Sequence, residues 1–282
     1  MTSKGSGLRE RIQSAEILPV IGIYDVFSAS LAARRFDALF VSGFGFAASH
    51  YGLPDIGFIA WTDMVDFVRR LVSVVPESHL IVDIDDGYCD TAVACHVATL
   101  LERLGASGVV LEDQQRPRLC GHMDGKRILP LDIYIDKLKA LLDARRDLVV
   151  VARTVATEPD EIKRRVVAFQ AAGCDAVLAD GIRSLELLAE IRGLVDCPIV
   201  FNQIAGGKSP VCTLSELQSR GAAAAIYSTP CLFAAQRAIE DALRTLGADD
   251  GSLASALRQD ATLKTCNEVL FQNLQSAERP NR

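Results

Sequence analysis

Residues 80–112 read LIVDIDDGYCDTAVACHVATLLERLGASGVVLE, and this stretch decides the fold. It opens on Leu80 to Asp83, a continuous apolar run closed by an acid, and ends on a second such run, Gly108 to Glu112. Between them Thr91 to Leu104 carries apolar residues at helical spacing, and Gly105 stands just past it, where a left-handed helix cap requires glycine. Strands that are apolar throughout, rather than alternating, are buried on both faces, as in a parallel sheet. The stretch is therefore one strand–helix–strand unit.

The unit recurs in both directions. Strand-like runs stand at Val20 to Tyr24, Ala38 to Ser42, Leu148 to Arg153, Ala176 to Asp180, Pro198 to Asn202 and Ala224 to Ser228, which with the first two makes eight. Helical patterns fill the gaps at Trp61 to Val75, Leu131 to Ala144, Asp160 to Ala171 and Leu185 to Ile191, and Gly173 and Gly221 repeat the capping position. Eight alternations in about 230 residues predict an α/β fold, a (β/α)8 TIM barrel. A doubly wound open sheet competes, but the glycine-rich turn it needs after its first strand is replaced by Tyr24-Asp25-Val26-Phe27. The pattern at Leu232 to Leu246 closes the barrel. A further one, Ser252 to Gln275, is surplus, with apolar Leu253, Leu257, Leu263, Val269 and Leu270 that need a partner surface. The expectation is one domain over 1–282, with the barrel at about 8–245 and a helical extension at 246–282.

Composition agrees. The chain has 282 residues, 49% hydrophobic and 23% charged, which suits a large core and excludes disorder, collagen and coiled coil. A net charge of −6 and a pI of 5.3 exclude nucleic acid and anionic membrane as partners. Residues 1–14 are polar, no apolar segment of signal-peptide or membrane-spanning length follows, and the cytoplasm is expected. Eight cysteines stand singly with no CxxC pair, which reads as small buried apolar residues.

Chemistry gathers at the strand ends. Asp25, Ser42, Asp83 with Asp85 and Asp86, Glu112 with Asp113, Arg153, Asp180, Asn202 and Ser228 each close a strand, and in a barrel those ends converge on one mouth. Helix capping explains any single Asp or Ser there, but not Arg153, Asn202 and four carboxylates together. Asp83, Asp85 and Glu112 come from adjacent strands, and hard oxygen ligands favour Mg²⁺ or Mn²⁺. Arg153 offers a fork for a carboxylate or phosphonate. Gly43 and Gly45 in Ser42-Gly43-Phe44-Gly45 let backbone N–H groups approach an anion, and Gly206-Gly207-Lys208 is a second candidate anion loop. The segment from Glu112 to His122 leaves a strand as a long polar loop, and in it Arg118 and His122 flank Cys120, where they are expected to lower the thiol pKa and make it a proton donor or acceptor. His50, His79 and His96 read as surface or core-edge residues.

The combination Ser42-Gly43-x-Gly45, Tyr51-Gly52-Leu53-Pro54-Asp55, Asp83-x-Asp85-x-Gly87-Tyr88, Glu112-Asp113-Gln114, Cys120-Gly121-His122, Ala152-Arg153-Thr154 and Asn202 resembles the isocitrate lyase and phosphoenolpyruvate mutase superfamily over about residues 8 to 245. The resemblance implies a Mg²⁺-dependent (or Mn²⁺-dependent) barrel acting on small anionic α-oxycarboxylates. Asp83, Asp85 and Glu112 would surround the metal, and Ser42, Gly43, Phe44, Asp55, Arg153, Asp180, Asn202 and Ser228 the substrate. Cys120, His122 and Arg153 would be catalytic. Residues 115–128 would be a gating loop, and a C-terminal helix swapped between subunits would make a homodimer or homotetramer.

Cys-Gly-His on that loop is similar to the carbon–carbon lyases acting on methylisocitrate and dimethylmalate, and to carboxyphosphonoenolpyruvate mutase. Phe40, Leu119, Val155 and Asp180 depart from the lyase pattern. The expected activity is a lyase that cleaves a small 2-hydroxy di- or tricarboxylate by retro-aldol chemistry to a 2-oxo acid. The alternatives are a phosphonomutase that forms a C–P bond and, more remotely, a non-catalytic metabolite-binding barrel.

Overall fold

The computed structural model describes residues 3–121, 125–248, 250–252 and 261–278. Ten strands occur among them: β1 (Leu18–Ile23), β2 (Ala38–Val41), β3 (His79–Asp83), β4 (Gly108–Glu112), β5 (Gln114–Gln115), β6 (Arg127–Ile128), β7 (Val149–Thr154), β8 (Ala176–Ala179), β9 (Ile199–Gln203) and β10 (Ala222–Tyr227). Eight of them close a parallel barrel in chain order, β10 returning to pair with β1, while β5 and β6 form a separate antiparallel hairpin. The barrel expected from the periodicity is present, with every expected strand within two residues of its place.

Side chains alternate across each strand, which creates two cores. Val20, Phe40, Ile81, Val110, Val151, Leu178, Val200 and Ile226 fill the barrel interior. Their neighbours Ile21, Leu39, Val82, Val109, Val150 and Val177 face the outer layer, against Met64, Val97, Leu138 and Val166 of the helices. Each such fully buried side chain contributes about 1.5–3 kcal/mol. The helices Trp61–Val74, Thr91–Leu104, Leu131–Ala144, Pro159–Ala171 and Leu185–Arg192 match their patterns. Gly105 at φ 104°, with Gly173 and Gly221 at 92°, takes the left-handed conformation expected after a helix.

Three features differ from expectation. A helix at Lys4–Ile12 starts from a Ser3 cap and plugs the base of the barrel with fully buried Leu8 and Ile12. This i, i+4 apolar pair is too short a signal to stand out in a polar segment. Among the described residues the C-terminal pattern forms a helix at Leu263–Ala277, capped by Thr262, and Leu253 and Leu257 lie outside the described residues. This helix seats Val269 on the chain's own helices Val26–Ala32 and Trp61–Val74 and leaves Leu270, Phe271 and Leu274 exposed. The cysteines are a correction: Cys174 is buried and Cys89 exposed, and the other six are half-buried, because they sit at the edges of the helical layer and in loops rather than in the two cores. No helix among the described residues is long and apolar enough to cross a membrane.

Candidate active site

The same alternation builds the site. Two residues beyond Phe40, Ile81, Val110, Val151, Leu178, Val200 and Ile226 stand Ser42, Asp83, Glu112, Arg153, Asp180, Asn202 and Ser228. A strand that points one residue inward points its second neighbour inward too, so the apolar interior turns polar in a single step at the C-terminal mouth. Register places Glu112 beside Arg153 on neighbouring strands.

Five buried carboxylates, Asp55, Asp83, Asp85, Glu112 and Asp180, surround two buried guanidiniums, Arg118 and Arg153. Arg153 Nη2 lies 2.6 Å from Asp180 Oδ2 and 3.4 Å from Glu112 Oε2, and its Nη1 lies 3.4 Å from Asp83 Oδ2. Asn202 Nδ2 donates to Asp180 Oδ1 at 2.9 Å, and Ser228 Oγ donates to Asn202 Oδ1 at 2.7 Å. Arg118 pairs with Asp55, with Asp85 Oδ1 at 2.6 Å and with Glu112 Oε1 at 3.0 Å. Arg118 was expected to act on the Cys120 thiol. Its guanidinium pairs with three acids, because a buried guanidinium goes where most negative charge is buried with it.

Local backbone aims the acids. Asp85 adopts a left-handed conformation, φ 50°, which a short polar side chain tolerates, and its N–H donates to Asp83 Oδ1 at 3.1 Å. Lys137 Nζ donates to Asp86 O at 2.9 Å, and Arg116 pairs with Asp86 at 2.8 Å, which pins the turn from outside. Burial pushes the Asp83 carboxyl up, the Asp85 carboxyl well up and the Glu112 carboxyl to about 7, partly offset by the two guanidiniums.

These acids fit a divalent cation in charge and chemistry. Five carboxylates outnumber two guanidiniums in a buried space, and Asp85 Oδ1 and Glu112 Oε2 have charged neighbours but no hydrogen bond. Hard oxygens of this kind suit Mg²⁺ or Mn²⁺. As arranged here, no three acid, histidine or cysteine side chains among the described residues gather tightly enough to hold an ion. Arg118 stands among Asp55, Asp85 and Glu112 in their place.

One cavity of about 30 Å³ collects most of the expected residues: Ser42, Phe44, Asp55, Asp83, Cys120, Arg153, Asp180, Asn202 and Ser228 all line it. Gly43 lies behind the acids, where a Cβ would come 3.4 Å from Asp85 Oδ1 and 3.6 Å from Asp83 Oδ2. Asp85 and Glu112 sit deeper, against Arg118, and His122 lies outside the described residues. Asp25 and Asp113 leave the site: Asp25 caps the helix Val26–Ala32, and Asp113 holds Arg165 at 2.9 Å and the Val155 N–H at 3.0 Å. The three other histidines lie at the surface or core edge, His50 stacked on Phe46 at 4.0 Å, His79 against Ser107 and His96 edge-on to Trp61.

The loop is folded inward over the cavity. β5 and β6 form its stem, Gln114 Nε2 donates to Glu112 Oε1 at 3.2 Å and to Leu119 O at 2.8 Å, and Gly121 packs so tightly on Asp180 and Arg153 that any Cβ there would collide with both.

A family described as phosphoenolpyruvate phosphomutase matches residues 8–246. The chain belongs to this family. It is an enzyme of the isocitrate lyase/phosphoenolpyruvate mutase superfamily, to which its relatives belong. It is 29% identical to 2,3-dimethylmalate lyase of Eubacterium barkeri over 93% of this chain and 92% of that one. It is 31% identical to the chloroplastic carboxyvinyl-carboxyphosphonate phosphorylmutase of Arabidopsis thaliana over 92% and 79%. Among solved structures, oxaloacetate acetylhydrolase with 3,3-difluorooxalacetate superposes with a TM-score of 0.90 at 30% identity, covering 98% of this chain and 95% of that one. The same enzyme has been solved with its product oxalate, at a TM-score of 0.88 and 29% identity, covering 98% and 96%. Of the four departures from the lyase pattern, Phe40 and Asp180 line this chain's cavity, whereas Leu119 and Val155 do not.

Sequence reasoning missed Arg118 and Gln114 as members of the site. The available signal was an odd excess of acids: five carboxylates facing one mouth need more than one internal cation.

Proposed function

We propose that this chain is a Mg²⁺-dependent carbon–carbon lyase that cleaves a small 2-hydroxy di- or tricarboxylate to a 2-oxo acid, with Mn²⁺ as a substitute ion. The observation that carries this is the loop residue Cys120 in one cavity with Asp83, Arg153, Asp180 and Asn202. Asp83, Asp85 and Glu112 would hold the metal once Arg118 withdraws from Asp85 and Glu112, and the bound ion supplies positive charge to the oxygens on which negative charge develops.

The chain's own residues do the rest. Arg153 presents a planar fork to the substrate carboxylate, and Asn202, held by Ser228, fixes its orientation. Ser42 and Phe44 line the cavity from the end of β2, and Gly43 brings its backbone close to Asp83 and Asp85. Asp55, by holding Arg118, keeps the loop inward and water out. The bond between the hydroxyl-bearing carbon and its neighbour breaks, the hydroxyl passes its proton to a carboxylate that lines the cavity, Asp180 in this reading, and the electron pair of the broken bond stays on the departing carbon. The Cys120 thiol, with His122 to exchange its proton, delivers that proton to this carbon. A phosphonomutase is the second reading, favoured by the likeness to the phosphorylmutase. That chemistry needs no proton on a cleaved carbon.

The test is Cys120→Ser, assayed against a panel of 2-hydroxy diacids and phosphonopyruvates by pyruvate release and phosphorus NMR. A lyase loses about 10²- to 10⁴-fold in turnover with substrate binding unchanged, and the wild type incorporates deuterium from D₂O at the cleaved carbon. Wild-type turnover in Cys120→Ser, or a phosphorus-transfer product, rejects the lyase.

A further inference from the structure

Behind the acids stands a buried ion pair, Asp113 with Arg165, neither of which lines the acid cavity. Asp113 directly follows Glu112 at the end of β4, and Arg165 belongs to the outer helix Pro159–Ala171. Asp113 grips β7 on both sides of Thr154: its N–H donates to Arg153 O at 3.0 Å, and its Oδ1 accepts from the Val155 N–H at 3.0 Å. The Thr154 hydroxyl donates to the same carboxylate. These bonds flank Glu112 and Arg153, so they set from behind the 3.4 Å between Glu112 Oε2 and Arg153 Nη2. Asp113 O also accepts from the Leu129 N–H at 2.8 Å, and Leu129 stands where the loop returns from β6. Arg165 closes this arrangement. Its Nη1 lies 2.9 Å from Asp113 Oδ2, its Nη2 donates to Leu129 O at 2.7 Å, and its Nε is held at 2.6 Å by Glu161 one turn earlier. One guanidinium therefore binds both feet of the loop that carries Cys120.

Stability alone is a poor reason for such a pair, because desolvation offsets most of the attraction between buried charges and an apolar pair would fill the space as well. Apolar side chains could not supply the directed bonds. A planar fork of donors serves three acceptors at once, which a point charge cannot do. We propose that Arg165 is a positioning residue for the reaction: through Asp113 it fixes Glu112 against Arg153, and through the Leu129 carbonyl it fixes the place of Cys120 over the cavity. This rests on the lyase reading for what Cys120 does and deepens it, since the placing of the proton donor then depends on a side chain of the outer helical layer that touches no substrate.

Arg165→Met alone would leave Asp113 buried without its counter-charge and lower stability whatever the role. The informative variants are Arg165→Lys, which keeps the charge but not the fork, and Asp113→Asn combined with Arg165→Met, which removes both charges together. Alkylation by iodoacetamide, followed cysteine by cysteine by mass spectrometry, reads the loop through Cys120 and the helix through Cys174, a buried thiol just beyond the end of Pro159–Ala171. In both variants Cys120 should react about tenfold faster or more, the scale of one charge-assisted hydrogen bond, while Cys174 stays within about twofold of wild type. Turnover of the 2-hydroxy acid should fall by about tenfold or more with KM within about threefold, and less in Arg165→Lys than in the double variant. A wild-type rate at Cys120 in the double variant, or Cys174 accelerating in step with Cys120, overturns the positioning role and leaves the pair a purely structural one. The thiol rates need no substrate, so a wild type that cleaves no 2-hydroxy acid overturns the lyase reading while Cys120 and Cys174 still decide whether Arg165 holds the loop.

Discussion

Arg118 is the residue on which the observed state of the site turns. Its side chain is almost wholly buried and satisfies three acids at once, including two of the three expected metal ligands. A guanidinium among carboxylates repays part of their desolvation, and removing one partner of such a buried set costs about 3–5 kcal/mol because the remaining charges stay buried. Arg118→Met should therefore lower unfolding stability by about that amount at pH 8 in EDTA. Saturating Mg²⁺ should recover most of the loss, since the ion takes over the charge that the arginine held. Denaturant melts with and without the metal test this, and equal stability of variant and wild type in EDTA would refute the counter-ion role.

At the scale of elements, the loop and the strand ends are matched surfaces. The β5–β6 stem fixes where the loop leaves and returns, and the Gln114 side chain ties Leu119 back to Glu112. Gly121 is the point of closest approach, against Asp180 and Arg153. Gly121→Ala should hold the loop off the mouth: turnover should fall by about tenfold to a hundredfold, as a misplacement near 1 Å does. Limited proteolysis should cut between residues 115 and 128 faster than in wild type, while the thermal midpoint stays nearly unchanged. Wild-type turnover in this variant would show that closure does not depend on this contact.

For the molecule as a whole, the buried acids link folding to pH. The Glu112 carboxyl titrates near 7 in the folded chain against an ordinary 4.5, so between those values the folded state holds a proton that the unfolded state has lost. Its contribution is present in full below about 4.5 and is lost as pH rises through about 7. His50 and His79, held below their ordinary value by burial, act in the opposite direction over the same range. The comparison is therefore between wild type and Glu112→Gln: in EDTA, wild type should lose stability relative to the variant from pH 5.5 to 8. The increment that Mg²⁺ adds to wild type should grow over that range, because the ligands must be deprotonated. Parallel melting profiles would refute this. The exposed Ile239 and Leu243 on the helix Pro230–Ala248, with Leu270, Phe271 and Leu274 on the last helix, form apolar surface that a second chain would cover. Light scattering should give a dimer or tetramer, and truncation after Leu246 a smaller species.

The eight strands, most of the helices and the polar residue at each strand end were legible in the sequence, because all rest on local periodicity and on the rule that a parallel strand is apolar until it reaches the mouth. So were the residues that meet in the acid cavity, from Ser42 round to Ser228, since barrel closure leaves their side chains only one place to point. What the tertiary structure alone decided is how the charges are shared. Arg118 lies six residues from Glu112 in the chain but sixty-three from Asp55. Nothing local says that it bridges them. The pairing of Arg153 with Asp180 and the close seat of Gly121 have the same origin. Electrostatic partners in a buried site are chosen by three-dimensional proximity and the cost of desolvation, and a linear pattern carries neither.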